Sequence, residues 1–360
     1  MSDKRKQDAL NLIKEAEGHV KTSLFKWKPD NTSAASCYEK ASNIFRGLQM
    51  FYEAGENFCR AGECYQRERL PLPAARDFEN ASDNYLRAEK WKDMVSAADT
   101  ASELYAETNQ SERVPQCLIK KANGLQHING VEAVKTYKKA IDQFVEIKKT
   151  MFIGQSIQNA ISFGVKAKLY NETIDFLDSA IIAHMSMKQE HEVNRDRLSQ
   201  ILIYFINNKL QDASNLLDDK LECFIGSDEH IFAARFMDAY EGGDVETFEK
   251  LKNDSSFRFC NQEIVFKVKD INIPKDIVEA AEKAKKESLP SGPIQFNEEF
   301  MTQKEVTKTD TISTTHISQE QMKAFESLTS GLPVAMGQCA NTVNSQEIPE
   351  MNEEDMSALL

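Results

Sequence analysis

Apolar residues return every twenty positions through the first part of the chain. Ala41, Ala61, Ala81 and Ala101 lie one step apart, and so do Phe45, Tyr65, Tyr85 and Tyr105. Three residues ahead of each alanine the same frame places Tyr38, Phe58, Phe78 and Ala98. Apolar positions three and four apart define one face of an α-helix, so each unit predicts a helix of about four turns and a short connection. A small alanine between large residues lets the next helix approach closely while the aromatics fill the groove on either side. The beat blurs between Cys117 and Ala122. It returns as Tyr137, Ala140 and Phe144, then more weakly as Ile157 with Ala160 and Leu177 with Ala180.

Two such units make an αα-hairpin of about forty residues, close to the tetratricopeptide class with longer helices. Stacked hairpins form a solenoid in which each unit contacts mainly its neighbours. The expected fold is therefore all-α: a right-handed superhelical solenoid of TPR-like hairpins over residues 1–190, followed by a C-terminal helical bundle over residues 191–285. The segments Arg197 to Asn207 and Glu229 to Tyr240 keep a helical pattern but leave the frame, and they are assigned to that bundle. Connections are expected at Pro71 and Pro73, Asn109, Gly130, and Gly242 with Gly243. Residues 286–360 are polar, aperiodic and rich in Ser and Thr, and are expected to be largely disordered.

One apolar group falls outside the frame. Seven residues before each position of the Tyr38 type stand Phe51, Pro71, Trp91 and Tyr170, read as anchors of inter-helix turns. The equivalent before Tyr38 is Asn31. Leu24, Phe25 and Trp27, interleaved with Lys26 and Lys28, thus have no slot in the hairpins, whereas Trp91 is expected in the core. Such a group suits a membrane surface, where Trp sits at the headgroup level and lysines meet anionic lipid. The competing reading is a cap packed on the first hairpin.

Composition narrows the function. The net charge is −13, of which residues 286–360 carry −8, with twelve acidic and four basic side chains. That balance disfavours a nucleic-acid binder. No apolar run reaches the length of a membrane span, the N-terminus lacks a signal-peptide core, and a cytoplasmic protein is expected. The seven cysteines show no C-x-x-C pair and the six histidines no ligand spacing, so neither metal nor cofactor is expected. No phosphate-binding loop or nucleophile setting is present, and an enzyme is not expected.

The stretch VKTSLFKWKPDNTSAASCYEKASNIF, from Val20 to Phe45, resembles the gamma branch of the soluble NSF attachment protein (SNAP) family. The segments AGENFCRAGECY and AARDFENASDNYLRAEKW continue the resemblance in register, and it covers residues 1 to about 280, more loosely beyond Ala180. It implies a non-enzymatic adaptor, peripheral on vesicle, Golgi or endosomal membranes in intracellular transport. Several copies would wrap a syntaxin-type four-helix SNARE complex and recruit the hexameric ATPase NSF. By the same resemblance Leu24, Phe25, Lys26, Trp27 and Lys28 would touch the membrane. Arg113, Lys120, Lys121, Lys148 and Lys149 would face the SNARE bundle, and Leu359 and Leu360, behind Glu353, Glu354 and Asp355, would stimulate the ATPase. The long tail departs from the family pattern, and the basic residues do not align one to one. Two alternatives stay open: a helical-repeat scaffold that grips peptides, which would carry a regular row of Lys, Arg and Asn not found here, and a helical enzyme.

Overall fold

The computed structural model describes residues 2–22, 27–150, 153–255, 257 and 260–288. All regular elements among these residues are helical. α1 (Ser2–Val20) leads into α2 (Asn31–Gly47), α3 (Phe51–Arg67), α4 (Pro71–Arg87) and α5 (Trp91–Glu107). Each of α2 to α5 has 17 residues, and three more complete the step of twenty. α6 (Arg113–Leu125), α7 (Gly130–Glu146), α8 (Gly154–Lys166), α9 (Tyr170–Ser186), α10 (Glu190–Ile206) and α11 (Leu210–Leu217) continue the series. α12 (Asp228–Glu241), α13 (Val245–Leu251), α14 (Gln262–Lys269) and α15 (Lys275–Ser288) close it. Consecutive helices from α1 to α7 pack on each other, as a hairpin solenoid requires. Phe51, Pro71, Trp91 and Tyr170, expected as anchors of the inter-helix turns, are instead the first residues of helices, as is the equivalent Asn31.

The alanines of the frame are completely buried at positions 41, 61, 81, 101, 140, 160 and 180. Glycines serve the same close approach: a Cβ on Gly55 would lie 2.7 Å from the Tyr85 ring, and one on Gly164 only 2.0 Å from Thr173 Oγ1.

One turn is used again and again. After α2, the Met50 amide donates to Phe45 O and the Gln49 amide to Arg46 O, while Gln49 takes a left-handed φ of 59°. This is the Schellman arrangement, which satisfies the last carbonyls of a helix. It recurs at Arg69, Glu89 and Asn109, then at Lys148, Lys168, Lys188 and Asn208, all with φ between 55° and 58°. None of these eight positions is the glycine that usually relieves the left-handed conformation. Between the two sets the frame slips by one residue. The connection after α6 carries a different turn, with Asn129 capping α7 from extended backbone, and the His127 ring stacks on Trp91 at 3.8 Å. Trp91 is thus half-buried rather than fully in the core.

The segment from Arg197 to Asn207, expected to leave the frame, keeps it: α10 starts at Glu190 and its turn falls at Asn208. Arg197 and Gln200 occupy the slots of Tyr38 and Ala41. Both are buried, Arg197 donates to Gln200 (3.1 Å) and Asp219 (2.8 Å), and Gln200 donates to Ile174 O and Asp178. One apolar core runs from Ala122 to Val268, across residue 190. Its C-terminal part is an aromatic cluster in which Phe236 meets Phe205, Phe232 and Phe248 with ring centroids 4.6–5.8 Å apart. Gly243 is required as glycine, with φ 64° and a Cβ position 2.8 Å from Ala281 on α15. α15 extends to Ser288, three residues into the expected tail. The remainder of that tail, with its expected disorder, lies outside the described residues.

Candidate functional site

The loop between α1 and α2 is closed at its root. The Asp30 amide donates to His19 O (3.0 Å), and the Asp30 carboxylate caps α2 by accepting from the Ser33 amide (3.0 Å). Two side chains tie the loop to the turn after α3: Lys28 Nζ reaches Glu68 Oε2 (3.3 Å) and the buried Asn31 amide reaches Glu68 Oε1 (2.8 Å). The bonds from Asn31 and Lys28 hold the Glu68 carboxyl below its ordinary value. On this tethered loop Trp27 is 90% exposed, the most exposed large apolar side chain described. It does not cap the first hairpin. Leu24, Phe25 and Lys26 lie outside the described residues, as do Glu353, Glu354, Asp355, Leu359 and Leu360.

The five candidate SNARE-facing residues separate into three places. Arg113 and Lys120, both on α6, converge on Glu79 of α4 at 3.4 and 3.0 Å, and Lys120 also reaches Asp83 at 2.6 Å. The Tyr105 hydroxyl donates to the other Glu79 oxygen at 2.7 Å. Burial would raise Glu79, but Tyr105, Lys120 and Arg113 outweigh it and leave the carboxyl lowered. Burial likewise opposes the charge on Lys120, and Asp83 with Glu79 overcomes it and raises the amine. Lys121 turns to Asp99 on α5 (2.7 Å). Lys148 occupies a left-handed turn position after α7, and its neighbour Lys149 pairs with Glu112 at 3.1 Å. Lys120 and Lys121 are therefore committed to inter-helix pairs. Arg113 and Lys149, each about half exposed, keep more of their charge toward solvent.

Sequence spacing did not reveal three further polar groups. His184 Nδ1 and Asp196 Oδ2 are 2.7 Å apart and both buried, between α9 and α10. His184 takes the slot of Phe45, Tyr65, Tyr85 and Tyr105, and only that departure from the pattern could have flagged it, whereas Asp196 shares the slot of Asn57 and Asp77. Asp77 is buried on α4, and desolvation together with Glu39 raises its carboxyl to about 8. The third group, Glu15, His19 and Cys37, lies where α1 meets α2. Cys37, Cys59, Cys64, Cys117 and Cys223 are free thiols. Burial pushes Cys59 up to about 11 and Cys117 and Cys260 to about 12, so none of those three is an activated nucleophile.

No helix among the described residues is long and apolar enough to cross a membrane. The family model for "Soluble NSF attachment protein, SNAP" matches residues 7–254, from α1 through α13. The gamma-soluble NSF attachment protein of Dictyostelium discoideum is 27% identical over 282 residues, covering 77% of this chain and 87% of that one. The protein of the same name from Arabidopsis thaliana is 23% identical over 251 residues, 69% of this chain and 86% of its own length. With a helical ribbon in the matched region and the Trp-Lys-Pro-Asp loop at its start, the chain belongs to the soluble NSF attachment protein family.

Proposed function

We propose that this chain is a non-enzymatic adaptor that binds SNARE complexes and recruits the hexameric ATPase NSF to take them apart. The observation that carries the reading is the family match over most of the helical ribbon, together with a Trp loop held out from it at both ends. The relatives' names speak of attachment to NSF, which suits an adaptor.

In this reading Trp27, with Leu24, Phe25, Lys26 and Lys28, enters the headgroup region of a membrane. Each lysine near anionic lipid contributes about 1 kcal/mol, so one loop holds weakly. Several copies on one SNARE bundle hold well through effective concentration. Among the basic residues, Lys148, Lys149 and Arg113 supply the charge that meets the acidic outside of a SNARE bundle, because Lys120 and Lys121 are neutralised within the ribbon. At the C-terminus, Glu353, Glu354 and Asp355 steer the tail to the ATPase, and Leu359 or Leu360 fills an apolar pocket worth about 1.5–3 kcal/mol.

The test is a pull-down of NSF and an assembled SNARE bundle by the purified chain with a non-hydrolysable nucleotide. A ternary complex is expected. Deleting residues 358–360 should keep SNARE binding and abolish ATPase stimulation. Capture of neither partner would refute the adaptor reading.

A further inference from the structure

Where α1 leaves the ribbon for the Trp27 loop, three side chains of different chemistry face one another. Glu15 and His19 are four residues apart, hence on one face of α1. Cys37 comes from α2. One ligand atom of each, a carboxylate oxygen, an imidazole nitrogen and the thiol sulfur, lies within 4.8 Å of the others. The Cys37 side chain is buried among Ala16, Ala34, Ala35 and Tyr38, and burial together with the nearby Glu15 pushes its thiol up. His19 presents Nε2 to Glu15 at 3.9 Å and Nδ1 to the Asp30 carboxylate at 3.7 Å.

We propose that Glu15, His19 and Cys37 form a zinc site that clamps α1 to α2 at the root of the Trp27 loop. The donor set selects the ion. A thiolate and an imidazole disfavour magnesium and calcium, which take oxygen, and suit a borderline-soft ion that accepts S, N and O together. Tetrahedral zinc with bonds of about 2.0–2.3 Å needs ligand atoms roughly 3.5 Å apart. The group must contract by about 1 Å, and the exposed Glu15 side chain is the part free to move. Three protein ligands leave a fourth position for water. Asp30 stands behind His19 where metal-bound imidazoles commonly have an orienting carboxylate. Binding replaces the S–H bond of Cys37 by a Zn–S bond, and the proton leaves to solvent.

The location gives the ion a structural consequence. His19 and Asp30 are the two ends of the loop, already joined by the bond from the Asp30 amide to His19 O. An ion on His19 would fix this root and the seam beneath it, so zinc would set how firmly Trp27 is held out. Metal-ligand spacing rules do not find the group because its members come from two helices, with His19 and Cys37 18 residues apart in sequence. The site does not rest on the adaptor reading, and its failure would leave that reading intact.

The experiment uses the full chain, reduced and without a polyhistidine tag, titrated with cobalt(II) as a spectroscopic stand-in for zinc. One equivalent should produce a thiolate-to-cobalt charge-transfer band in the near ultraviolet, and one equivalent of zinc should abolish it. Zinc should also raise the melting temperature, because an ion that binds only the folded state stabilises it. Cys37→Ser and His19→Gln should each weaken binding by at least about tenfold. The half-exposed His19 makes its substitution safe for folding should Cys37→Ser prove unstable. Absence of the band, or a band that survives His19→Gln at unchanged affinity, would overturn the site.

Discussion

The carboxylate of Glu68 accepts a 2.8 Å hydrogen bond from the side-chain amide of Asn31, joining the turn after α3 to the first residue of α2. Lys28 uses the second oxygen of the same carboxylate. One acidic side chain thus sets both the start of the repeat frame and the base of the Trp27 loop. Asn31→Ala should cost about 1–2 kcal/mol, because it removes a part-buried bond to a charged acceptor. Glu68→Ala should leave the helical content unchanged and speed proteolysis between residues 21 and 30. Urea melts followed by circular dichroism and timed trypsin digestion read the two effects; an unaltered digestion rate would show that the loop is held by something else.

The left-handed turns offer a gain in stability. Lys168 is exposed, has φ 58°, and pays the Cβ penalty that glycine avoids. Lys168→Gly should raise the unfolding free energy by about 0.5–1 kcal/mol, the conformational relief exceeding the entropy glycine adds to the unfolded chain. Lys168→Val should lower it by about 1 kcal/mol or more, since β-branched residues fit this region worst. Equal stabilities for the two variants would contradict the turn assignment.

Asp77 makes stability fall as pH rises. Its folded-state value of about 8 lies above the ordinary 3.8, so between these limits the folded protein holds a proton the unfolded chain has lost. The stabilising proton is fully present below about pH 4 and is lost as pH rises through 8, with a slope of at most about 1.4 kcal/mol per pH unit. Asp77→Asn, which keeps the shape without the charge, should raise stability at pH 8 and flatten the profile between pH 5 and 8. Chemical denaturation across that range is the check, and identical profiles would count against it.

Charge at the α4–α6 surface separates structure from binding. Lys120→Ala leaves Glu79 and Asp83 facing each other without their shared cation, and the melting temperature should drop. Lys148→Ala with Lys149→Ala should leave the melting temperature nearly unchanged, exposed pairs being worth about 0–1 kcal/mol. That pair of substitutions should weaken SNARE binding at low salt and lose its effect at high salt, where exposed charges are screened. SNARE affinity indifferent to the pair at low salt would remove both lysines from the interface.

Much of the ribbon was legible because Ala41, Ala61, Ala81 and Ala101 and their aromatic partners repeat a packing requirement in plain apolar residues. The repeat disappeared from view where polar residues take the same slots. Arg197 and Gln200 are buried and hydrogen-bonded to Asp219, Ile174 O and Asp178, partners that no hydrophobic pattern encodes. The turns were equally opaque: glycine and proline signal a connection, yet Arg69, Glu89 and Lys188 make theirs by backbone hydrogen bonding. In the candidate site the exposure of Trp27 could be read from its place outside the frame. The engagement of Lys120 could not, since its partner Glu79 is 41 residues away.

Disassembly itself tests the adaptor claim most directly. A fluorescently labelled SNARE bundle anchored in liposomes containing anionic lipid would be mixed with NSF and ATP, with and without this chain, and the rate of bundle separation recorded. Separation should require the chain, and Trp27→Ser should slow it on liposomes while leaving the rate on a soluble bundle unchanged. A bundle that stays assembled with the folded chain, NSF and ATP all present would contradict the account.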